Sequence, residues 1–190
     1  MRIHAISVGL SQMLVLRQEP LHATQSAIRK RPVSTLATPI EVELSALGLN
    51  TDEQSDLSVH GGLDKALYAY PIEHWSRWEQ ALALEPRAGL FGENLSIEGL
   101  LEEEVYLGDQ WRIGQALLQI TEPRIPCDKF CAVLQRPQAA KTMVALGACG
   151  WYLRVIQAAP LAAGMEIEVL PGPRQERVSE AFAFKARKIR

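Results

Sequence analysis

Apolar and polar residues alternate with a period of two along much of this chain, the pattern of half-buried strands. Met1 to Val8 alternates, as do Ile40-Glu41-Val42-Glu43-Leu44 and Met165-Glu166-Ile167-Glu168-Val169. Trp111-Arg112-Ile113 and the run from Ala116 to Thr121 flank Gly114-Gln115 and predict a hairpin. Lys65 to Tyr70 and Leu95-Ser96-Ile97 predict two more short strands. Gly, Asp and Pro punctuate these runs at short intervals, which predicts a mainly β (α+β) fold: a closed β-barrel with a few peripheral helices, not a doubly wound sheet. Few stretches carry helical spacing. Pro71 opens one, with Trp75, Trp78 and Leu82 on a single face that reads as packing, not as a ligand cage. Asp128 to Leu134 predicts a second, which sets Cys131 one turn from Cys127. No histidine lies near that pair to complete a zinc site, so a structural metal is not expected there.

With 190 residues, 47% of them hydrophobic, the chain can build a core of its own. It reads as a single domain over 1–190, with its core at about 28–170 and a basic tail over 171–190. Lys185, Arg187, Lys188 and Arg190 in that tail predict a solvated or frayed end. A formal charge of −2 argues against a general nucleic-acid or membrane-surface binder, so any anion site must be a local cluster of cations. Three cysteines without a CxxC pair make no disulfide framework and cannot hold a four-thiolate iron–sulfur cluster. The N-terminus lacks the apolar run of a signal peptide, and no stretch approaches the ~20 residues of a membrane span, so a cytoplasmic protein is expected. Neither a GxGxxG after a strand nor a P-loop occurs, so electrons for any redox chemistry would come from another protein.

Four segments place polar residues where strand patterning would not. Arg29-Lys30-Arg31-Pro32-Val33 sets three cations before a proline, either an exposed charged edge or an anion site. In the run from Asp56 to Ala66, Gly61-Gly62 permits close approach of backbone to a ligand, and His60, Asp64 and Lys65 flank it; an ordinary turn is the alternative. Gly92-Glu93-Asn94-Leu95 sets Glu93 and Asn94 between a glycine and a strand, suited to hydrogen-bonding a heterocycle. In Glu122-Pro123-Arg124-Ile125-Pro126-Cys127-Asp128-Lys129, two prolines exclude helix before the cysteine, and Arg124 and Lys129 favour thiolate over thiol. Such a cysteine is a soft metal ligand or a nucleophile, or else a buried structural thiol.

Taken in this order, the four segments resemble the MOSC family, named for the C-terminal domain of molybdenum-cofactor sulfurases, and most closely its bacterial YiiM-type branch. Val59-His60-Gly61-Gly62-Leu63-Asp64-Lys65-Ala66 together with Phe91-Gly92-Glu93-Asn94-Leu95 carries most of the likeness. Gly48 to Asp56, Pro123 to Cys127 and Gly150-Trp151-Tyr152, read as leading into the last barrel strand, add to it. Thr51 stands where the branch usually has glycine, Leu63 where it has proline, and Ile72 where it often has arginine, which would remove a cation near the pocket. YiiM-type chains also usually continue into a C-terminal helical extension.

The resemblance implies a β-barrel that binds the molybdenum cofactor, with Cys127 as both catalytic residue and metal ligand. It implies reduction of N-hydroxylated bases such as 6-hydroxylaminopurine. A soft thiolate suits molybdenum, and Lys30, Arg31, Lys65 and Arg124 would serve the cofactor's phosphate. Gly61, Gly62 and Asp64 would lie against the same cofactor, Glu93 and Asn94 would meet the pterin edge, and His60 would bind it or donate a proton. The expected partners are a small N-hydroxylated substrate and a separate electron-donor protein, with neither nucleic acid nor membrane, for a monomer or homodimer. The alternative function is a carrier that holds cofactor or sulfur on Cys127 for delivery. Pyridoxal phosphate is a weaker third ligand, since no lysine is placed for a Schiff base.

Overall fold

The computed structural model describes residues 1–16, 22–55 and 61–189. The N-terminal alternation forms β1 (Arg2–Val8), with Ile3, Ala5 and Ile6 buried. A small hairpin follows, β2 (Gln12–Leu16) with β3 (His22–Ser26), and then β4 (Arg31–Thr35) pairs antiparallel with β1. Two short strands, β5 (Leu44–Ser45) and β6 (Gly48–Leu49), form a ribbon of their own. β7 (Leu67–Pro71) is buried along its whole length and leads through a short three-ten turn into helix α1 (Trp75–Leu82). The chain then forms β8 (Leu95–Glu98), the predicted hairpin of β9 (Gln110–Ile113) and β10 (Ala116–Pro123), and helices α2 (Asp128–Leu134) and α3 (Ala139–Leu146). It ends in β11 (Trp151–Gln157), β12 (Glu168–Leu170) and helix α4 (Val178–Lys185).

Eight strands make one curled sheet in the order β12-β9-β10-β11-β7-β8-β1-β4. The closed barrel predicted from sequence is not formed, because β12 and β4 remain as edges. The reason lies in β1. One of its edges is taken by β8, and the other is divided: Ala5 to Val8 pair with β4, which leaves only the first residues for the far end of the sheet. There the Ile3 N–H donates to the Met165 carbonyl (3.0 Å) and the Ile167 N–H to the Met1 carbonyl (3.2 Å), an isolated bridge instead of a ladder. The Ile40–Leu44 alternation is likewise real in burial, with Val42 and Leu44 inside, but it stays outside the main sheet: Val42 forms a bridge to Leu161, and Leu44 pairs with Leu49 in the small ribbon.

The concave side is filled by Ile3, Leu67, Ile97, Leu118 and Leu153, with Trp111 and Trp151 edge to face at 5.7 Å. A second aromatic cluster of Tyr70, Trp78, Phe91 and Phe130 fixes α1 and α2 against the sheet. Helices α3 and α4 have no counterpart in the sequence pattern, since both are short and mix apolar with polar residues without a clean stripe. The basic tail is therefore not the frayed end expected from its charge. Val178, Ala181 and Phe182 of α4 are buried, and the Lys185 ammonium meets Glu122 Oε2 at 2.7 Å. Among the described residues no helix is long and apolar enough to cross a membrane.

Candidate functional site

One cleft gathers chemistry from five stretches of chain. Lys30 enters just before β4, Asp52 from the turn after β6, Lys65 from a single three-ten turn before β7, Asn94 from the residue before β8, and Arg124 and Cys127 from the turn between β10 and α2. They line empty space of about 650 Å³, continuous with solvent. All five stretches are strand ends, where the backbone leaves its ladder and side chains are released from the alternation of the sheet.

Lys30 is held inside this cleft by Asp52. Its ammonium lies 2.5 and 2.6 Å from the two carboxylate oxygens, with the side chains only 7% and 5% exposed. Burial draws the Lys30 pKa below its ordinary value, against the opposing pull of Asp52. Asp52 also accepts the Gly9 N–H (2.7 Å) and Asn94 Nδ2 (2.9 Å). Asn94 in turn donates to the Ser7 carbonyl (3.3 Å) and accepts the Tyr68 N–H (3.2 Å), which joins β1, β7 and β8 behind the cleft.

Arg124 is the opposite case. It is 4% exposed, its guanidinium lies 4.4 Å from the Phe130 ring centre and 5.5 Å from that of Tyr68, and its NH1 is 3.9 Å from the Met143 sulfur. Among the described residues no carboxylate forms an ion pair with it. Burial raises the pKa of Tyr68 and of Tyr152, against the nearby Arg124 charge, so both phenols are neutral near pH 7. A buried cation beside neutral rings is costly until an anion joins it.

Cys127 is half-buried at the cleft and is the N-cap of α2, its carbonyl accepting the Phe130 N–H at 3.0 Å. Its backbone is extended at the point where β10 has ended, and Pro126 before it fixes its own φ. Cys131 follows one turn later and faces a separate groove with Leu16 and Arg136, while Cys149 is fully buried. Burial pushes the Cys131 and Cys149 thiols up. None of the three cysteines forms a disulfide.

The other predicted site residues are arranged differently. Lys65 lines the cleft, 3.3 Å from Glu122 and over the Tyr152 ring. Asp64, its neighbour, turns outward to an exposed ion pair with Arg154, and its carbonyl accepts Thr121 Oγ1 at 2.6 Å. Gly62 has φ 88°, the left-handed region foreseen for the glycine pair, and donates its N–H to Gln54 Oε1; Gly61 precedes it outside the cleft lining. Arg31 is exposed at the start of β4, because residues on either side of an inward-pointing Lys30 point outward. Glu93 is fully buried, and its carboxylate accepts the Gly89 N–H (2.7 Å), the Phe91 N–H (3.0 Å) and Ser96 Oγ (2.9 Å), so it fastens the preceding loop and does not face a ligand. That loop needs Gly89: its φ is 81°, and a Cβ there would come within 2.9 Å of the Lys30 carbonyl. Ile72 opens the three-ten turn before α1 and is not part of the cleft lining. His60 lies outside the described residues.

Sequence reasoning passed over Asp52, Tyr68 and Tyr152, which all line the cleft. Asp52 carried a signal, as an acidic residue within the Gly48 to Asp56 segment that adds to the family resemblance. The tyrosines carried none, since on strands they read as core.

The comparisons with known proteins agree with this architecture. Protein YiiM of Escherichia coli is 39% identical over 147 residues, covering 76% of this chain and 66% of that protein. A protein of Gibberella moniliformis named a reductase is 32% identical over 151 residues, or 76% of this chain and 27% of the larger protein. The crystal structure of YiiM from Geobacillus stearothermophilus superposes with a TM-score of 0.76 at 30% identity, covering 98% of this chain and 84% of that one. The chain thus spans just under two thirds of the length of the Escherichia coli relative. The MOSC domain pattern itself matches residues 56–168, a span that includes Lys65, Asn94, Arg124 and Cys127 of the cleft. By its fold, and by the motifs that build its cleft, this chain belongs to the MOSC domain family.

Proposed function

We propose that the cleft binds the molybdenum cofactor and that the protein reduces N-hydroxylated bases such as 6-hydroxylaminopurine, drawing electrons from a separate redox protein. One observation carries this: a buried arginine without a carboxylate partner among the described residues stands beside a half-exposed cysteine in one cleft. MOSC domains are associated with the molybdenum cofactor, and the match to a protein named a reductase supports an oxidoreductase role.

The residues present fit that cofactor. Among the described residues no group of three or more His, Cys, Asp and Glu side chains could hold a metal ion. A metal at Cys127 would therefore arrive with most of its ligands already attached, as it does on a dithiolene. Cys127 would add one sulfur to it. Arg124, with Lys65 nearer the surface, would compensate the terminal phosphate. When bound, the cofactor would supply two-electron chemistry at molybdenum.

The chain's own work is placement and proton supply. Tyr68, Tyr152 and Phe130 give the Arg124 side of the cleft a low-polarity wall, which strengthens the attraction between the guanidinium and an anion. The Asn94–Asp52–Lys30 network holds the opposite wall in place. Conversion of an N–OH group to N–H and water consumes two electrons and two protons. The neutral Tyr68 and Tyr152 phenols and the Lys30, Lys65 and Lys129 ammoniums are proton-bearing groups of the described cleft.

The test is metal analysis and pterin fluorescence of protein made in a molybdate-fed host, followed by 6-hydroxylaminopurine reduction with a low-potential dye. Bound molybdenum and dye-driven turnover are expected. Metal-free protein that gains neither cofactor nor activity on reconstitution would overturn the proposal.

A further inference from the structure

Four cations line the cleft, Lys30, Lys65, Arg124 and Lys129, but they are not equally available to a ligand. Lys65 lies 3.3 Å from Glu122, in a position that water reaches. Lys129 stands half-exposed, 3.5 Å from the Gln25 carbonyl. The two buried cations differ most. Lys30 has both oxygens of Asp52 within 2.6 Å, whereas Arg124 has no carboxylate partner among the described residues.

Asp52 cannot readily be displaced from Lys30. Besides the ammonium it accepts Gly9 N–H and Asn94 Nδ2, so each oxygen has two donors: Oδ1 takes Lys30 and Gly9, and Oδ2 takes Lys30 and Asn94. Those donors come from the ends of β1 and β8 and from the residue before β4, all anchored in the sheet. Swinging the carboxylate away would orphan a buried backbone N–H and a side-chain amide. The two neutral donors do not by themselves require a charged acceptor. Only Lys30 does.

We propose that Asp52 is a specificity-determining residue of the cleft: a fixed counter-ion that masks Lys30, so that the anionic end of a ligand is taken by Arg124 and strongly anionic ligands are disfavoured. This rests on the cleft being the ligand site proposed above. A pair with no net charge offers an incoming anion little, and a ligand drawn to Lys30 also meets the repulsion of the Asp52 carboxylate at nearly the same distance. Arg124 has no such carboxylate among the described residues and hydrogen-bonds the neutral Tyr152 phenol instead, so its attraction for an anion is offset less. Removal of the Asp52 charge should therefore strengthen anion binding, whereas a merely structural residue would weaken it when replaced.

The experiment is calorimetric titration with inorganic pyrophosphate of the full chain, produced in a host that cannot make the molybdenum cofactor. Arg124→Met should weaken binding at least about tenfold, the double replacement Lys30→Met with Asp52→Asn, which removes the neutral pair whole, should change it by less than about threefold, and Asp52→Asn alone should strengthen it about tenfold. Asp52→Glu, which keeps the charge, should return affinity to the wild-type range. Equal losses in the double variant and Arg124→Met would overturn the masking role, as would unchanged or weaker binding by Asp52→Asn. If Asp52→Asn alone does not fold, the double variant decides. Failure of pyrophosphate to bind any of these proteins would also overturn it. The expected pattern in a protein that never takes up molybdenum would leave the masking intact and remove the cofactor assignment instead.

Discussion

Replacing Arg124 by methionine should remove ligand binding without weakening the fold. Loss of a buried, well-contacted side chain ordinarily costs about 2–5 kcal/mol. Here two terms oppose each other. The guanidinium sits 4.4 Å from the Phe130 ring and 5.5 Å from the Tyr68 ring. At about 1–2 kcal/mol for each desolvated cation–π contact, the variant loses roughly 2–4 kcal/mol of favourable interaction. Methionine fills the space of the aliphatic stem and touches the same rings through its sulfur. Against the loss stands the burial of a charge without a carboxylate partner among the described residues, a penalty of several kcal/mol for a single ion. The balance leaves the variant between about equal to wild type and about 3 kcal/mol more stable. Urea unfolding followed by tryptophan fluorescence measures this directly, since Trp78, Trp111 and Trp151 are all fully buried. Saturating anion should then stabilise the wild type and not the variant. Should Arg124→Met lose more than about 2 kcal/mol, the charge is compensated within the fold and is not held for a ligand.

Cys127→Ser should keep the fold and abolish turnover normalised to molybdenum, while Cys131→Ser, whose thiol faces the separate groove, should retain it; equal rates for wild type and Cys127→Ser would sink the ligand assignment. Glu93→Ala orphans three donors in a fully buried position and should cost about 3–5 kcal/mol in urea unfolding, against about 1 kcal/mol for Ser96→Ala; similar small losses in both would contradict the loop-fastening role. Phe182→Ala should cost about 3–4 kcal/mol if α4 is docked as described, and under about 0.5 kcal/mol if the tail is solvated. Burial alone would raise the Glu122 carboxyl, but the Lys185 hydrogen bond and the Lys65 charge outweigh it and hold the group below its ordinary value of 4.5. A depressed folded-state pKa gives stability that is present above the unfolded value and is lost as pH falls through the folded one. Acid titration of Glu122→Gln should accordingly show a shallower loss of stability below pH 4.5 than wild type; superimposable profiles would exclude the linkage.

Much of the fold was legible from local pattern. The hairpin of β9 and β10, the strands β1, β7 and β8, and helices α1 and α2 all follow from short runs bounded by turn residues, with burial alternating along β9 and most of β10 but nearly continuous along β7 and β8. Helices α3 and α4 were not legible, because neither carries a clean apolar stripe, and both owe their stability to docking. Barrel closure was not legible either. It depends on how β1 divides one edge between β4 and the chain at Met165, a competition between segments distant in sequence.

The candidate site divides along the same line. The chain's own residue types and spacing were enough to single out Cys127, Arg124, Lys65, Lys30 and Asn94, because charged or reactive side chains at strand ends break the alternation that the sheet requires. Which of them remain available was decided only in three dimensions. Asp52 comes from a different loop and neutralises Lys30, three donors close to Glu93 in sequence consume its carboxylate, and the strand geometry turns Arg31 and Asp64 outward. Arg124 alone among the buried cations is left without a carboxylate partner in the described structure. Sequence determines which charges a chain carries, but the field that a ligand meets depends on distances between charges and on their exclusion from water, and those exist only once the chain has folded.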